Sequence, residues 1–458
     1  MQRIVIKNFG AVKEADIELK KITVLIGEQA SGKSTIAKLV YYFKTLKEDF
    51  FRELLEESLE KRSISYFSHI CKEKFYNLFG STINLPQFKI RYYFTENKYI
   101  SLSSNENKVL IVDFSAEMQN KIIGYSNTGI NKMQEKINNF SYEKILIDKE
   151  KESLIEYLID FLNNLFENNQ IDFLYIIAGR SATVSYSELF EKYLFAEVQY
   201  KIRENTNLST KSRQYNIDEI LMLEFIKRTT GLKSYFRNYV SIENFITDYA
   251  KNKNNLNIVL KKLNRIIKGR YSVDITGEKI IYSNQEKGFI PLQNASSGQQ
   301  EVIRILQDIL ISIAEESKVF RIVEEPEAHL FPSAQKQLIE LLSFLINQNE
   351  DNQIIITTHS PYVLTVFNNL IFSKRITDKN PDAINDVNEI IQQEFWIDSD
   401  DFSAYNLGKT DDNERHAQSI INEKTGLIQQ NYLDEVSEKL GNDFQRLYSI
   451  HQKSFSRK

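Results

Sequence analysis

The chain has 458 residues, with 58 Lys and Arg against 62 Asp and Glu for a formal net charge of −4, and it is 42% hydrophobic and 26% charged. These values describe an ordinary globular chain of two or three domains and exclude a disordered polyelectrolyte, a collagen-like fibre and a strongly basic arm, although not a local basic face. Its one cysteine, Cys71, excludes an internal disulfide framework and any thiolate metal cluster. No apolar run approaches the roughly 20 residues that cross a bilayer, and MQRIVIKNFG at the N-terminus reads as a strand, not a signal core. The expectation is a reduced, cytoplasmic protein with no membrane partner.

Three short strands are expected at 3–9, 16–19 and 23–26, the last apolar and ending at Gly27. Beyond it, Ile36, Leu39, Val40 and Phe43 repeat as one face of a helix. Residues 45–85 are charged and aromatic at helical spacing. Runs at 89–94, 98–102 and 109–114 predict a small antiparallel meander. From about 130 to 268 the pattern is mostly helical, rich in Asn, Lys and Glu, with no fixed repeat. A hairpin follows, 271–275 and 279–282 about a turn at Thr276–Gly277. Alternation of helix and strand then returns. A helix from about Gly298 carries Ile303, Leu306, Leu310 and Ile313 on one face, and a strand at 319–323 precedes a helix at 333–346 and a strand at 354–358. Four of the six prolines (Pro291, Pro326, Pro332 and Pro361) fall in this stretch, where turns beside strands should be densest. The tail, 376–458, reads as polar and chiefly helical. The expected organisation is one α/β nucleotide-binding head in two halves, 1–45 and 288–375. Between them lie a β meander and helical insertion, 46–287.

Gly27-Glu28-Gln29-Ala30-Ser31-Gly32-Lys33-Ser34 fits G-x-x-x-x-G-K-[ST] between an apolar strand and a helix, with Thr35 next in line. Wrapping a polyphosphate requires successive backbone N–H groups to point inward, and Gly27 and Gly32 permit that curvature. The helix N-terminus faces the same anion. Lys33 supplies a mobile positive charge, and the Ser34 hydroxyl can ligate Mg²⁺. The plain alternative, a chance glycine loop before a helix, is weakened by the flanking strand and helix.

At 319–327, VFRIVEEPE ends an apolar strand in carboxylates, a poor choice for packing but a sound one beside a hydrated metal and a phosphate. By position Glu324 would hold the metal through its water shell, and Glu325 would orient or deprotonate an attacking water. The alternative is a solvated acidic turn. Upstream, Asn294-Ala295-Ser296-Ser297-Gly298-Gln299-Gln300 precedes a helix and offers either an anion site or a simple N-cap. Downstream, Thr358-His359-Ser360-Pro361 puts a histidine just past an apolar strand, either an ordinary polar residue or a sensor of the transferring phosphate.

These four elements, in this order, resemble the ATP-binding-cassette ATPase heads, above all the branch of structural-maintenance-of-chromosomes proteins, RecF-type repair ATPases and the overcoming-lysogenization-defect (OLD) family. The likeness covers roughly 1–45 and 290–375. It implies an α/β fold, an ABC-type P-loop head with a mixed sheet, flanking helices, a small antiparallel β lobe and a long helical insertion. It implies ATP and Mg²⁺ as cofactors. Lys33 and Ser34 then become the phosphate-binding lysine and metal-ligating serine. Ser296, Gly298 and Gln299 fall in the signature motif, Glu324 and Glu325 form the acidic pair, Glu327 to Leu330 the D-loop, and His359 the switch histidine. Such heads sandwich two ATP molecules between two protomers, so the resemblance implies an ATP-dependent homodimer or higher oligomer. Ser297 stands where a signature glycine is usual and Glu324 where aspartate is more common, which implies slow turnover. Ile176-Ile177-Ala178-Gly179-Arg180-Ser181 is similar to a segment of small defence ATPases, with Arg180 a candidate phosphate or dimer contact; a surface arginine after a strand is the alternative.

OLD-type enzymes carry a nuclease domain after the head. Here Asp398-Ser399-Asp400-Asp401 is a superficial D-x-D, read as a solvated loop, and the histidines at 69, 329, 359, 416 and 451 are scattered. No intrinsic nuclease is expected. Two functions follow from the resemblance: an ATPase switch governing a separate effector, a nuclease, as in Septu-type anti-phage systems, or a RecF-like clamp on duplex DNA.

Overall fold

The computed structural model describes residues 2–56, 63–127, 144–167, 171–185, 216–239, 241–249, 252–282, 288–409, 415–429 and 432–455. In chain order the elements are β1 (Gln2–Phe9), β2 (Val12–Leu19), β3 (Ile22–Ile26), α1 (Lys33–Glu56), α2 (Ile64–Phe79), β4 (Lys89–Tyr93), β5 (Tyr99–Ser104), β6 (Leu110–Phe114), α3 (Ala116–Asn127), α4 (Lys144–Phe166), β7 (Asp172–Ile176), α5 (Ala182–Ser185), α6 (Ile217–Arg237), α7 (Ile242–Tyr249) and α8 (Lys253–Ile267). They continue with β8 (Arg270–Asp274), β9 (Gly277–Ile281), β10 (Phe289–Pro291), α9 (Ser297–Ala314), β11 (Val319–Glu324), α10 (Pro332–Asn347), β12 (Gln353–Thr358), α11 (Pro361–Lys379), α12 (Ile384–Ile390), β13 (Phe402–Lys409), β14 (Arg415–Ser419) and α13 (Tyr432–Phe455).

Eleven strands form one mixed sheet in the order β6-β5-β4-β1-β2-β14-β13-β3-β12-β11-β7. The first five are an antiparallel lobe, whereas β13, β3, β12, β11 and β7 run parallel. Strands β8, β9 and β10 make a second, antiparallel sheet. The parallel strands are buried on both faces, and side-chain alternation assigns each face its own core. Ile22, Val24 and Ile26 of β3, Val319 and Val323 of β11, and Ile354 and Ile356 of β12 pack on one side with Ile303, Leu306 and Leu310 of α9. Leu25, Phe320, Ile322 and Ile355 pack on the other with Ile36, Leu39, Val40 and Phe43 of α1. The loop helix α1 and the helix α9 therefore lie on opposite faces of the sheet. This is the expected α/β head, with a mixed sheet, flanking helices and an antiparallel lobe.

The tail departs from its expected helical character. Strand β13 pairs with β3, and β14 pairs antiparallel with β13 and, through His416 and Glu14, parallel with β2. Together they join the antiparallel lobe to the parallel strands. The run FSAYNLGK contains serine, asparagine and glycine, so it shows neither a continuous apolar run nor a clean alternation, and its partner β3 lies about 380 residues away. The mostly helical insertion likewise supplies an edge strand, β7. The meander at β4–β6 and the β8–β9 hairpin form where expected.

Charged side chains are paired in the interior. Arg321 in mid-β11 donates to Asp308 Oδ2 at 2.7 Å, to Asp172 Oδ2 at 2.6 Å and to Ser312 Oγ at 3.0 Å, and Arg228 joins the same two aspartates. Arg304 of α9 forks onto Glu278 of β9. Each guanidinium has carboxylate partners, which is the condition for burying it.

Candidate nucleotide site

Parallel register brings the C-terminal ends of four strands to one edge: Ile26 pairs with Thr358, Thr357 with Glu324, and Val323 with Ile176. Ligands of open α/β sheets sit outside this edge. The loop 27–32, the Glu324-Glu325 pair, His359 and the Arg180 segment all leave the sheet there.

In the loop, Gly27 (φ +155°) and Gly32 (φ +102°) are obligatory. A Cβ on Gly27 would stand 2.7 Å from Leu407 O of β13, and one on Gly32 would stand 2.5 Å from Val12 Cγ2. The tail strand thus supports the loop from beneath. Ala30 also sits at positive φ. Ser31 is buried, and its N–H donates to Glu28 O. Lys33 is buried and its ammonium donates to Gly27 O at 2.9 Å and Glu28 O at 2.8 Å, so the charge is already held over the loop. Glu28 and Gln29 are exposed; Ser34 and Thr35 are half-buried in the first turn of α1.

Glu324 is buried; its Oε1 accepts from Tyr175 OH at 2.7 Å and its Oε2 from Ala178 N at 3.2 Å. Burial and the neighbouring carboxylate push the Tyr175 hydroxyl well above its ordinary range, so it stays protonated and donates. Glu325 turns the chain at φ +43°, and its Oε1 lies 3.0 Å from His359 Nε2. Glu327 Oε1 accepts from Thr358 OH at 2.6 Å and from His359 N at 2.9 Å. The histidine is therefore fixed through its main chain by one glutamate and faces another.

The segment 296–299 is both an N-cap and an exposed helix start. Ser296 and Gln299 form a reciprocal capping box, and Gln299 Nε2 donates to Ile267 O at 2.6 Å. The Gln299 amide is thus engaged inside the chain and shapes the turn. Ser296 and Ser297 are exposed. A Cβ on Gly298 would stand 2.5 Å from His329 O, so the helix start rests directly on the 327–330 loop, where His329 also has positive φ.

Arg180 is not the surface arginine of the alternative reading. It is fully buried and spends its guanidinium on main-chain carbonyls. The residues missed from sequence are those that position others: Tyr175, Glu301 and Leu407. Each lies far in sequence from the group it serves. Asp398–Asp401 forms a solvated turn, where Asp401 pairs with Lys21.

The donor set fits a phosphate-bound Mg²⁺. Among the described residues no group of three or more His, Cys, Asp or Glu side chains could hold a metal ion alone. A hydroxyl at Ser34 and a carboxylate at Glu324 suit a cation that keeps waters and phosphate oxygens as its other ligands.

The AAA ATPase domain family matches residues 1–364. The chain belongs to this family. The matched residues include the loop, the acidic pair and the parallel edge. No curated protein matches the chain. Among solved structures it is similar to an Smc head bound to the C-terminal winged-helix domain of ScpA, at 11% identity and TM-score 0.41 over 92% of this chain and 98% of that one. It is also similar to the Smc head of Thermotoga maritima, at 11% identity and TM-score 0.33 over 80% and 90%. At such scores the fold is read from the strand order itself. No helix among the described residues is long and apolar enough to cross a membrane.

Proposed function

We propose that the chain is a Mg²⁺-dependent ATP-hydrolysing switch that closes as a dimer of two heads and governs a separate effector protein, a nuclease, in bacterial anti-phage defence. The observation that carries the dimer is the placement of α1 and α9 on opposite faces of the sheet, with Ser296 and Ser297 exposed at the start of α9. The exposed helix start of each copy then covers the phosphate loop of the other. The likeness of the 324–330 and 358–361 motifs to OLD-type heads supports the defence role.

Loop N–H groups and the N-terminus of α1 receive the phosphates, and Lys33 exchanges its two carbonyl partners for phosphate oxygens. Ser34 and Glu324 would hold Mg²⁺, which neutralises charge on the phosphates. Glu325 takes the proton of the attacking water, and His359 at 3.0 Å orients that carboxylate. The Tyr175 and Ala178 donors keep both Glu324 oxygens in place.

The test is ATP binding, turnover and self-association of the purified chain and of Lys33→Ala and Ser296→Arg. Lys33→Ala should abolish ATP binding. Ser296→Arg should leave binding by the monomer intact but prevent ATP-dependent dimerisation. Dimers of Ser296→Arg in ATP would refute the sandwich. Plasmid cleavage by the chain alone would refute the separate effector, and salt-sensitive binding of duplex DNA would favour a clamp.

A further inference from the structure

The segment leaving β7 is tied to two elements at once. Arg180 Nη1 donates to Ile177 O at 3.2 Å and Glu324 O at 2.7 Å, and Nη2 donates to Glu325 O at 2.9 Å. Its Nε donates to Glu301 O at 3.0 Å, one turn into α9, and lies 3.4 Å from Glu301 Oε2. Glu301 Oε1 accepts from Ser181 N, and Gln300 Oε1 accepts from Ser185 Oγ. Arginine and glutamate are 0% and 2% exposed. Burial pulls the guanidinium down while the surrounding glutamates hold it up, with Glu301 foremost.

We propose that Arg180 is a positioning residue that locks the main chain of Glu324 and Glu325 to the first turn of α9. The acidic pair serving one nucleotide and the helix start offered to the second copy then move as one body. The proposal rests on the reading of Glu325 given above and extends it to communication between the two sites. Past Val323 the β7 ladder ends, and the Glu324 and Glu325 carbonyls accept from Arg180 instead of from a β7 residue. A planar guanidinium with five donors reaches two strand ends and a helix together, which an ammonium cannot do. It also holds the peptide after Glu325, whose φ of +43° is uncommon outside glycine. The first turn of α9 also abuts the 327–330 loop where Gly298 meets His329 O, so the helix start has little freedom to shift independently.

The experiment uses the full chain and the variants Arg180→Lys, Glu301→Gln and the pair combined. ATP affinity, kcat and KM are measured with ATP, and hydrogen exchange of 296–302 and 324–330 without nucleotide. Arg180→Lys should keep ATP affinity within about 3-fold and lower kcat by on the order of 10²-fold, the loss an ångström of misplacement causes. Exchange should rise in both segments together. Glu301→Gln should act in the same direction, and the double variant should be no worse than Arg180→Lys alone. Loss of affinity in step with kcat, unchanged kcat, or multiplicative effects would overturn the proposal. If Arg180→Lys does not fold, Glu301→Gln decides: unchanged exchange at 324–330 overturns it. A wild-type chain that hydrolyses no ATP would instead refute the proposed function, and the exchange measurements would still judge Arg180.

Discussion

Gly298→Ala sets two effects of known sign against each other. Alanine is favoured over glycine inside a helix by about 1 kcal/mol, and Gly298 has helical backbone at the start of α9. The new Cβ, however, would lie 2.5 Å from His329 O and 3.3 Å from His329 C, whereas ordinary contact begins near 3.4 Å. The 327–330 loop or the helix start must retreat by about 0.9 Å. Overpacking of this kind costs roughly 1–3 kcal/mol, so the net loss of stability is about 0–2 kcal/mol. Catalytic geometry is far less forgiving, and a displacement near 1 Å costs on the order of 10²-fold in rate. The expected variant has ATP affinity within about 3-fold of wild type, a stability in urea lower by about 0–2 kcal/mol and kcat lower by roughly 30–100-fold. A variant about 1 kcal/mol more stable with normal turnover would show that helix propensity alone acts here and that the contact does not matter.

Three further outcomes are expected. Glu325→Gln should lower turnover by at least about 10²-fold while ATP binding persists and dimers accumulate; unchanged turnover would remove Glu325 from proton transfer. Phe402→Ala should cost about 3–5 kcal/mol in chemical denaturation, because Phe402 is 1% exposed and its ring centre lies 5.1 Å from that of Phe367; a loss below about 1 kcal/mol would mean that β13 is not a core strand. Burial pulls the Lys44 ammonium down to about 7, with Gln353 Oε1 and the Phe320 ring as its neighbours. Above pH 7 the unfolded chain holds a proton that the folded chain has released. Folding stability should therefore rise between pH 7 and about 9, by no more than about 1.4 kcal/mol per unit. Lys44→Met should be more stable at pH 7 and lose this slope, and an identical slope in the variant would refute it.

The sequence alone determined the parts of the site whose chemistry is local. Gly27, Gly32, Lys33 and Ser34 lie within eight residues, and their spacing carries the same physical demand whatever surrounds them. The helical faces of α1 and α9 were equally plain, since periodic burial is written residue by residue. Tertiary structure decided what needed partners from distant segments. Strand β13 mixes apolar residues with serine, asparagine and glycine, and becomes a strand because β3 and β14 satisfy its backbone on both sides. Its Leu407 carbonyl then lies against Gly27, which no local pattern can foretell. Arg180 followed the same rule. Its charge and position suited a phosphate or a surface, and it is buried because Glu301 and the Glu324 and Glu325 carbonyls converge on it from elsewhere in the chain. Backbone groups and charges must find partners wherever the fold brings them, and only the three-dimensional arrangement says which partners those are.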